Sequence, residues 1–224
     1  MAKWPTAQGA TAKGMEMNLR EPGVCRVDVA KGELQGATNR YVKRLGDLEG
    51  LFEDTAAFQA LLATAGAQSL AYEVTDFRSS VDAGDMIVGV TRIVSGKVGR
   101  EFLFTRGHIH ANADRPEVYY GERGRGVMLL ESPEGEIRTV EITPRTICYV
   151  PPYWIHRSVN VGTDDLVMTF AYPADSGQDY SIIVEAGGMK ALVVDDSAGG
   201  WKLVENTQYR GRPIARINRV YARV

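Results

Sequence analysis

The sequence predicts a single all-β domain of antiparallel strands with an extension at each end, and two observations carry that reading. From Leu70 onward, short runs rich in Val, Ile, Thr, Phe and Tyr are broken by Gly, Pro, Asp and Ser, as in strands closed by turns. These turn signals recur about every 8 to 12 residues, the spacing of a sandwich or barrel. Ser132-Pro133-Glu134-Gly135 is the clearest of them. At 224 residues and 44% hydrophobic content, the chain can bury a sizeable core without disulfides.

Residues 1–40 hold Gly, Ala, Thr and scattered charges with little period, and read as an N-terminal arm that is ordered only when packed on something larger. Val42, Leu45, Leu48 and Leu51 are spaced by three, which suggests a helical turn or two despite Gly46 and Gly50. Asp54 or Thr55 can cap a second short helix that carries Phe58, Leu61 and Leu62 on one face and ends at Gly66. The strands expected next are 86–94, 101–105, 117–120, 126–130, 137–142, 146–150 and 166–172. The main domain is thus 41–195, with the short helices at its start, and 196–224 is a C-terminal extension. Its end carries Arg210, Arg212, Arg216, Arg219 and Arg223 with no acidic residue after Asn206, and reads as a solvated or subunit-packing tail.

A net charge of -2 gives no overall field to attract nucleic acid or an anionic membrane, so no partner of either kind is expected. Of the two cysteines, Cys148 lies in the apolar run Thr-Ile-Cys-Tyr-Val and reads as a buried reduced thiol, beside an unassigned Cys25. No stretch approaches the roughly 20 apolar residues that span a bilayer, and Met-Ala-Lys-Trp-Pro-Thr lacks a signal peptide's apolar block, so a cytoplasmic location is expected.

The chemistry concentrates in the histidines. All three, His108, His110 and His156, fall in one 49-residue window. In a strand, alternate side chains share a face, so His108 and His110 can grip one ion together. Glu117 and His156 are the best placed further ligands, with Asp114 a rival carboxylate four positions after His110. Three imidazoles and one carboxylate suit one divalent transition metal per subunit, drawn from iron, manganese, zinc, nickel and cobalt, with positions left open for water or substrate.

His108-x-His110, Glu117 with Gly124 seven positions later, then Pro151, His156 and Asn160 resemble the two motifs of the cupin superfamily of small jelly-roll barrels. Six residues separate His110 from Glu117, and Arg145 and Tyr153 stand where the superfamily often has Gly. Thr105-x-Gly107-His108-x-His110, Asp114-Arg115-x-Glu117-Val118-Tyr119, Tyr149-Val150-Pro151-Pro152-Tyr153-Trp154-x-His156-Arg157 and Tyr172-Pro173-Ala174-Asp175-x-Gly177-x-Asp179-Tyr180 closely resemble the cupin-type glucose-6-phosphate isomerases best known from archaea. The resemblance covers roughly residues 40 to 195.

That resemblance implies a metal-dependent interconversion of glucose 6-phosphate and fructose 6-phosphate, with Glu117 moving the proton through a cis-enediol. It places Thr91, Thr105 and the Gly107 backbone near the substrate phosphate, and supports Tyr119, Tyr172 and Tyr180 against the sugar by motif position. Tyr120, Tyr149 and Tyr153 are assigned to packing. Gln178 stands where the archaeal pattern commonly has His, with an amide that hydrogen-bonds but carries no proton at neutral pH. A homodimer is also implied. The competing readings are another cupin enzyme, such as an iron dioxygenase, and a non-catalytic sugar-binding cupin.

Overall fold

The computed structural model describes residues 20–222; the first 19 residues of the expected arm, and Arg223, lie outside them. The chain opens with an antiparallel hairpin, β1 (Arg26–Asp28) and β2 (Glu33–Gln35). Leu34 of this hairpin packs on Val90 and Val167, an apolar contact worth roughly 1.5–3 kcal/mol of side-chain burial. Next come β3 (Asn39–Arg44), a 3-10 turn at Leu45–Leu48, α1 (Thr55–Ala65), β4 (Leu70–Arg78) and β5 (Met86–Ile93). Two short strands, β6 (Lys97–Val98) and β7 (Glu101–Phe102), precede β8 (Glu117–Arg123), β9 (Gly126–Glu131) and β10 (Ile137–Ile142). The chain closes with β11 (Ile147–Val150), β12 (Ile155–Asn160), β13 (Leu166–Pro173), α2 (Ser181–Val184), β14 (Ala191–Asp195), β15 (Trp201–Glu205) and α3 (Ile214–Tyr221).

The fold is all-β and cupin-like. A six-stranded sheet runs β11-β8-β13-β5-β4-β3, a three-stranded sheet β10-β9-β12, and a four-stranded sheet β15-β14-β7-β6. Every pairing is antiparallel. One contiguous core joins Ile93, Tyr119 and Met168 of the large sheet to Met128, Ile155 and Val159 of the three-stranded one. Cys148 is buried within it as a free thiol, and Cys25 is free and half-buried.

The helix expected at Asp54 forms, with the Asp54 carboxylate accepting from the Ala57 amide and Gly66 ending it. The helix expected around Val42 does not. Residues 39–44 are a strand paired with β4, and only Leu45–Leu48 turn, as 3-10. Leu45 and Leu48 are both buried because three residues is the repeat of a 3-10 turn, so the spacing carried a real signal of a different helix. Tyr149 is not packed: it stands 55% exposed on the outer side of edge strand β11. The arginine tail also departs from a solvated reading, since Arg212 pairs with the fully buried Glu131 at 2.5 Å and Arg216 is buried.

Arg145 and Tyr153 adopt φ values of 75° and 71°, the left-handed region. These are two positions where the resemblance led one to look for Gly, and both backbones are tied: Arg145 N–H donates to Gly121 O at 2.8 Å, and Tyr153 N–H to Ala113 O at 2.7 Å.

Candidate metal and substrate site

The segment 104–110 belongs to no long strand, yet backbone bridges hold it on both sides. His108 N–H donates to His156 O at 3.1 Å and His156 N–H to His108 O at 2.9 Å, so two of the three histidines are locked opposite each other. On the other side Ile109 and Asp179 exchange amide-carbonyl bonds of 3.2 and 2.8 Å. Extended backbone through 108–110 keeps both imidazoles on one side, with ring centroids 5.5 Å apart. Gly107 enters this segment at φ 74°, and a Cβ there would sit 2.9 Å from His156 O and 3.0 Å from the Arg157 Cβ. Only glycine fits both demands.

Glu117, first residue of β8 and 2% exposed, lies at the meeting point of the three imidazoles. Its Oε2 is 2.9 Å from His156 Nε2, 3.3 Å from His110 Nε2 and 3.8 Å from His108 Nε2. The other ring nitrogens face main-chain carbonyls: His110 Nδ1 is 2.7 Å from Arg115 O, and His156 Nδ1 is 3.1 Å from Trp154 O. A proton on each Nδ1 leaves Nε2 with its lone pair toward the centre, the tautomer a metal ligand needs.

Electrostatics favour a neutral His108 beside an anionic Glu117. Burial, and then the neighbouring His156, hold His108 well below the ordinary histidine value. Burial works to lower His110, but its contact with Glu117 and that carboxylate's charge leave it raised. For Glu117, burial pushes the carboxyl up, but the close His110 and His156 nitrogens overcome this and leave it well below the usual carboxylate range.

One donor atom from each of His108, His110, Glu117 and His156 lies within 4.8 Å of every other. His108 Nε2 and His110 Nε2 are buried and satisfied by no hydrogen bond, which in a core costs roughly 1–3 kcal/mol per group. A cation at the centre would engage both and neutralise Glu117. The four residues therefore fit a metal ion and can hold one. Asp114 is not part of this cluster, because its carboxylate pairs with Arg115 at 2.8 Å. Arg115 in turn forks onto Asp175 at 2.7 and 3.0 Å, which fixes the carbonyl that faces His110.

The cluster opens on one side into a cavity lined by His108 and Glu117 together with Thr91, Thr105, Gly107, Tyr119, Tyr172, Gln178 and Tyr180. All seven residues expected near substrate thus surround the same space. Thr105 Oγ1 accepts the Ser158 amide at 3.1 Å, leaving its hydroxyl proton to donate. Tyr180 donates its hydroxyl hydrogen to Gln178 Oε1 at the rim. Burial, then the Glu117 charge, hold the Tyr119 and Tyr172 phenols well above their usual range, so both are neutral donors.

Sequence reading missed Tyr41, Tyr72, Asp76, Arg78, Arg106, Ser158 and Phe170, which share the lining. A signal for three of them existed. Tyr72, Asp76 and Arg78 are separated by even numbers in β4, so they face one way, and an acid and a base following Val74 mark that face as polar. Asp76, 1% exposed, is forked by Arg78 and bonded by Asn39 at 2.9 Å. The Arg106 guanidinium lies 5.2 Å over the Tyr180 ring.

Comparison with known proteins decides the family. Residues 42–210 match the family model described as Glucose-6-phosphate isomerase (GPI). The chain belongs to the glucose-6-phosphate isomerase (GPI) family. The family's glucose-6-phosphate isomerase of Sinorhizobium medicae is 55% identical over 203 residues, covering 91% of this chain and 94% of the relative. Those of Thermococcus gammatolerans and Pyrococcus furiosus are 42% and 40% identical, covering 86% and 85% of this chain and 99% and 98% of the relatives. The GPI match runs past the expected end at 195 but stops short of α3. Among the described residues no helix is long and apolar enough to cross a membrane.

Proposed function

We propose that this chain interconverts glucose 6-phosphate and fructose 6-phosphate, holding one divalent metal on His108, His110, Glu117 and His156. What carries the reading is the Glu117 carboxylate, which is set among three histidines and opens onto a cavity with phosphate and sugar donors around it. The native ion is iron, manganese, zinc, nickel or cobalt, all of which accept this donor set. When bound, it polarises the sugar's carbonyl and hydroxyl oxygens and stabilises the charge that develops there.

The Thr91 and Thr105 hydroxyls and the side-chain-free Gly107 backbone receive the phosphate, with Arg106 supplying positive charge on the same rim. Tyr119, Tyr172 and the Gln178 amide nitrogen donate to the open-chain hydroxyls, and the Tyr180 oxygen, its hydrogen given to Gln178, accepts from one. Glu117 takes the proton from carbon 2 of the aldose, and that electron pair forms the C1–C2 double bond as the carbonyl oxygen gains a proton. Returning the proton to carbon 1, with loss of the proton on the carbon-2 oxygen, gives the ketose. Glu117 is ionised at neutral pH and ready to accept.

Its lowered carboxyl also favours a second reading, because a weak acid's conjugate base abstracts carbon protons better than a strong acid's. A direct hydride shift from carbon 2 to carbon 1 needs no base at carbon, only passage of the carbon-2 hydroxyl proton to the carbon-1 oxygen. Turnover in D2O separates the two. Deuterium appearing on carbon 2 of glucose 6-phosphate supports the enediol and Glu117; complete retention of the substrate hydrogen over many turnovers refutes that role and leaves the hydride shift.

A further inference from the structure

The C-terminal helix α3 lies beyond the GPI-family match, yet it reaches the site through one side chain. Arg216, 6% exposed, donates from Nη2 to Asp179 Oδ2 at 2.7 Å and to Ser181 Oγ at 3.0 Å, and from Nε to Glu185 Oε2 at 3.0 Å. Asp179 Oδ1 is occupied by the Ser181 amide at 3.0 Å and hydroxyl at 2.7 Å, so both carboxylate oxygens are held. The Asp179 backbone meanwhile exchanges two hydrogen bonds with Ile109, the residue between the two cluster histidines. Asp179 also sits between Gln178 and Tyr180, whose side chains line the cavity rim.

We infer that Arg216 is a positioning residue: through Asp179 it sets both the His108–His110 segment and the Gln178–Tyr180 rim, making α3 a working part of this chain's site. A guanidinium is suited to the task because its planar fork reaches Asp179 from Nη2 and Glu185 from Nε together, which a lysine ammonium does not reproduce with fixed geometry. Arg212 anchors the approach to α3 by pairing with buried Glu131 and donating from Nε to Ile182 O at 3.2 Å, so the helix is tied down one turn before Arg216. The inference rests on the isomerase reading only for its kinetic arm.

The test compares Arg216→Ala and Arg216→Lys with Arg219→Ala, an exposed arginine of the same helix. Chelator-stripped proteins are titrated with Mn2+ calorimetrically, their melting temperatures are recorded, and KM and kcat for fructose 6-phosphate are measured after metal is restored. Arg216→Ala is expected to weaken Mn2+ binding and raise KM, each by about tenfold, the scale of one lost charge-assisted hydrogen bond. Arg216→Lys should recover part of both, and Arg219→Ala should match the parent. A lowered melting temperature with Mn2+ affinity and KM unchanged overturns the inference, leaving Arg216 as tail anchoring only. Should the parent bind Mn2+ but turn over no sugar phosphate, the isomerase reading fails, while weaker Mn2+ binding by Arg216→Ala still upholds the positioning role. Should Arg216→Ala fail to fold, Arg216→Lys carries the same comparison.

Discussion

Gly107→Ala isolates the backbone constraint on which the histidine cluster rests. At φ 74° an L-residue pays roughly 1–2 kcal/mol for left-handed backbone. The new Cβ also meets His156 O and Ile183 Cδ1 at 2.9 Å and the Arg157 Cβ at 3.0 Å. Ile183 can swing its terminal methyl away, whereas His156 O belongs to the bridge that holds His108 N, and relief must come from moving that bridge. Overpacking of this kind costs about 1–3 kcal/mol more. Gly50→Ala is the matched control, with φ 76° and nothing within 4 Å of its Cβ, so it carries the backbone cost alone. The total for Gly107→Ala is thus roughly 2–5 kcal/mol, or a fall in melting temperature of about 4–20 °C for a chain of this size. Metal affinity should also drop, since two ligands shift relative to each other. Denaturant titration of the chelator-stripped proteins, paired with Mn2+ calorimetry, measures both. If Gly107→Ala and Gly50→Ala lose equal stability and bind Mn2+ equally well, the contact argument is wrong.

Three further outcomes follow from particular groups. Burial pushes the Cys148 thiol up to about 11, so near pH 8 only about one molecule in a thousand carries the thiolate, and a thiol reagent should modify half-buried Cys25 while sparing Cys148 until the protein unfolds. Equal labelling of both in the native state would contradict the packing described. Arg145→Gly should gain up to about 1 kcal/mol in denaturant melts by relieving left-handed strain at an exposed position, less the extra freedom glycine has when unfolded; a clear loss would mean the arginine side chain makes an unrecognised contact. The homodimer implied by the family resemblance predicts twice the chain's mass by light scattering, and a monomer at all concentrations would remove it.

How much could be read in advance divides along physical lines. His108 and His110 were legible because period-two alternation is local and survives in a segment that forms only isolated bridges. Glu117 was legible over Asp114 by its spacing to Gly124, and the structure shows what the spacing could not, that Asp114 is taken by Arg115. The strand at 155–160 escaped notice because His156, Arg157, Ser158 and Asn160 are all buried in it, so polar residues occupy both faces and erase the alternation. β14 and β15 were hidden differently. Their pairing is a local hairpin, with Asp195 opposite Trp201 across the turn at 196–200, but the expected domain boundary at 195 fell at the start of that turn and split the unit between domain and extension. The Arg216–Asp179 contact spans 37 residues and depends on where α3 docks, so an arginine count could not reveal it.

The central claim, that a metal held by three histidines and Glu117 makes this chain an aldose-ketose isomerase, is tested most directly by one coupled assay. Conversion of fructose 6-phosphate to glucose 6-phosphate is followed in chelator-stripped protein, then with iron, manganese, zinc, nickel and cobalt restored one at a time. The account predicts activity that vanishes on stripping and returns with at least one ion. Folded, metal-loaded protein that converts nothing with any of the five would contradict it.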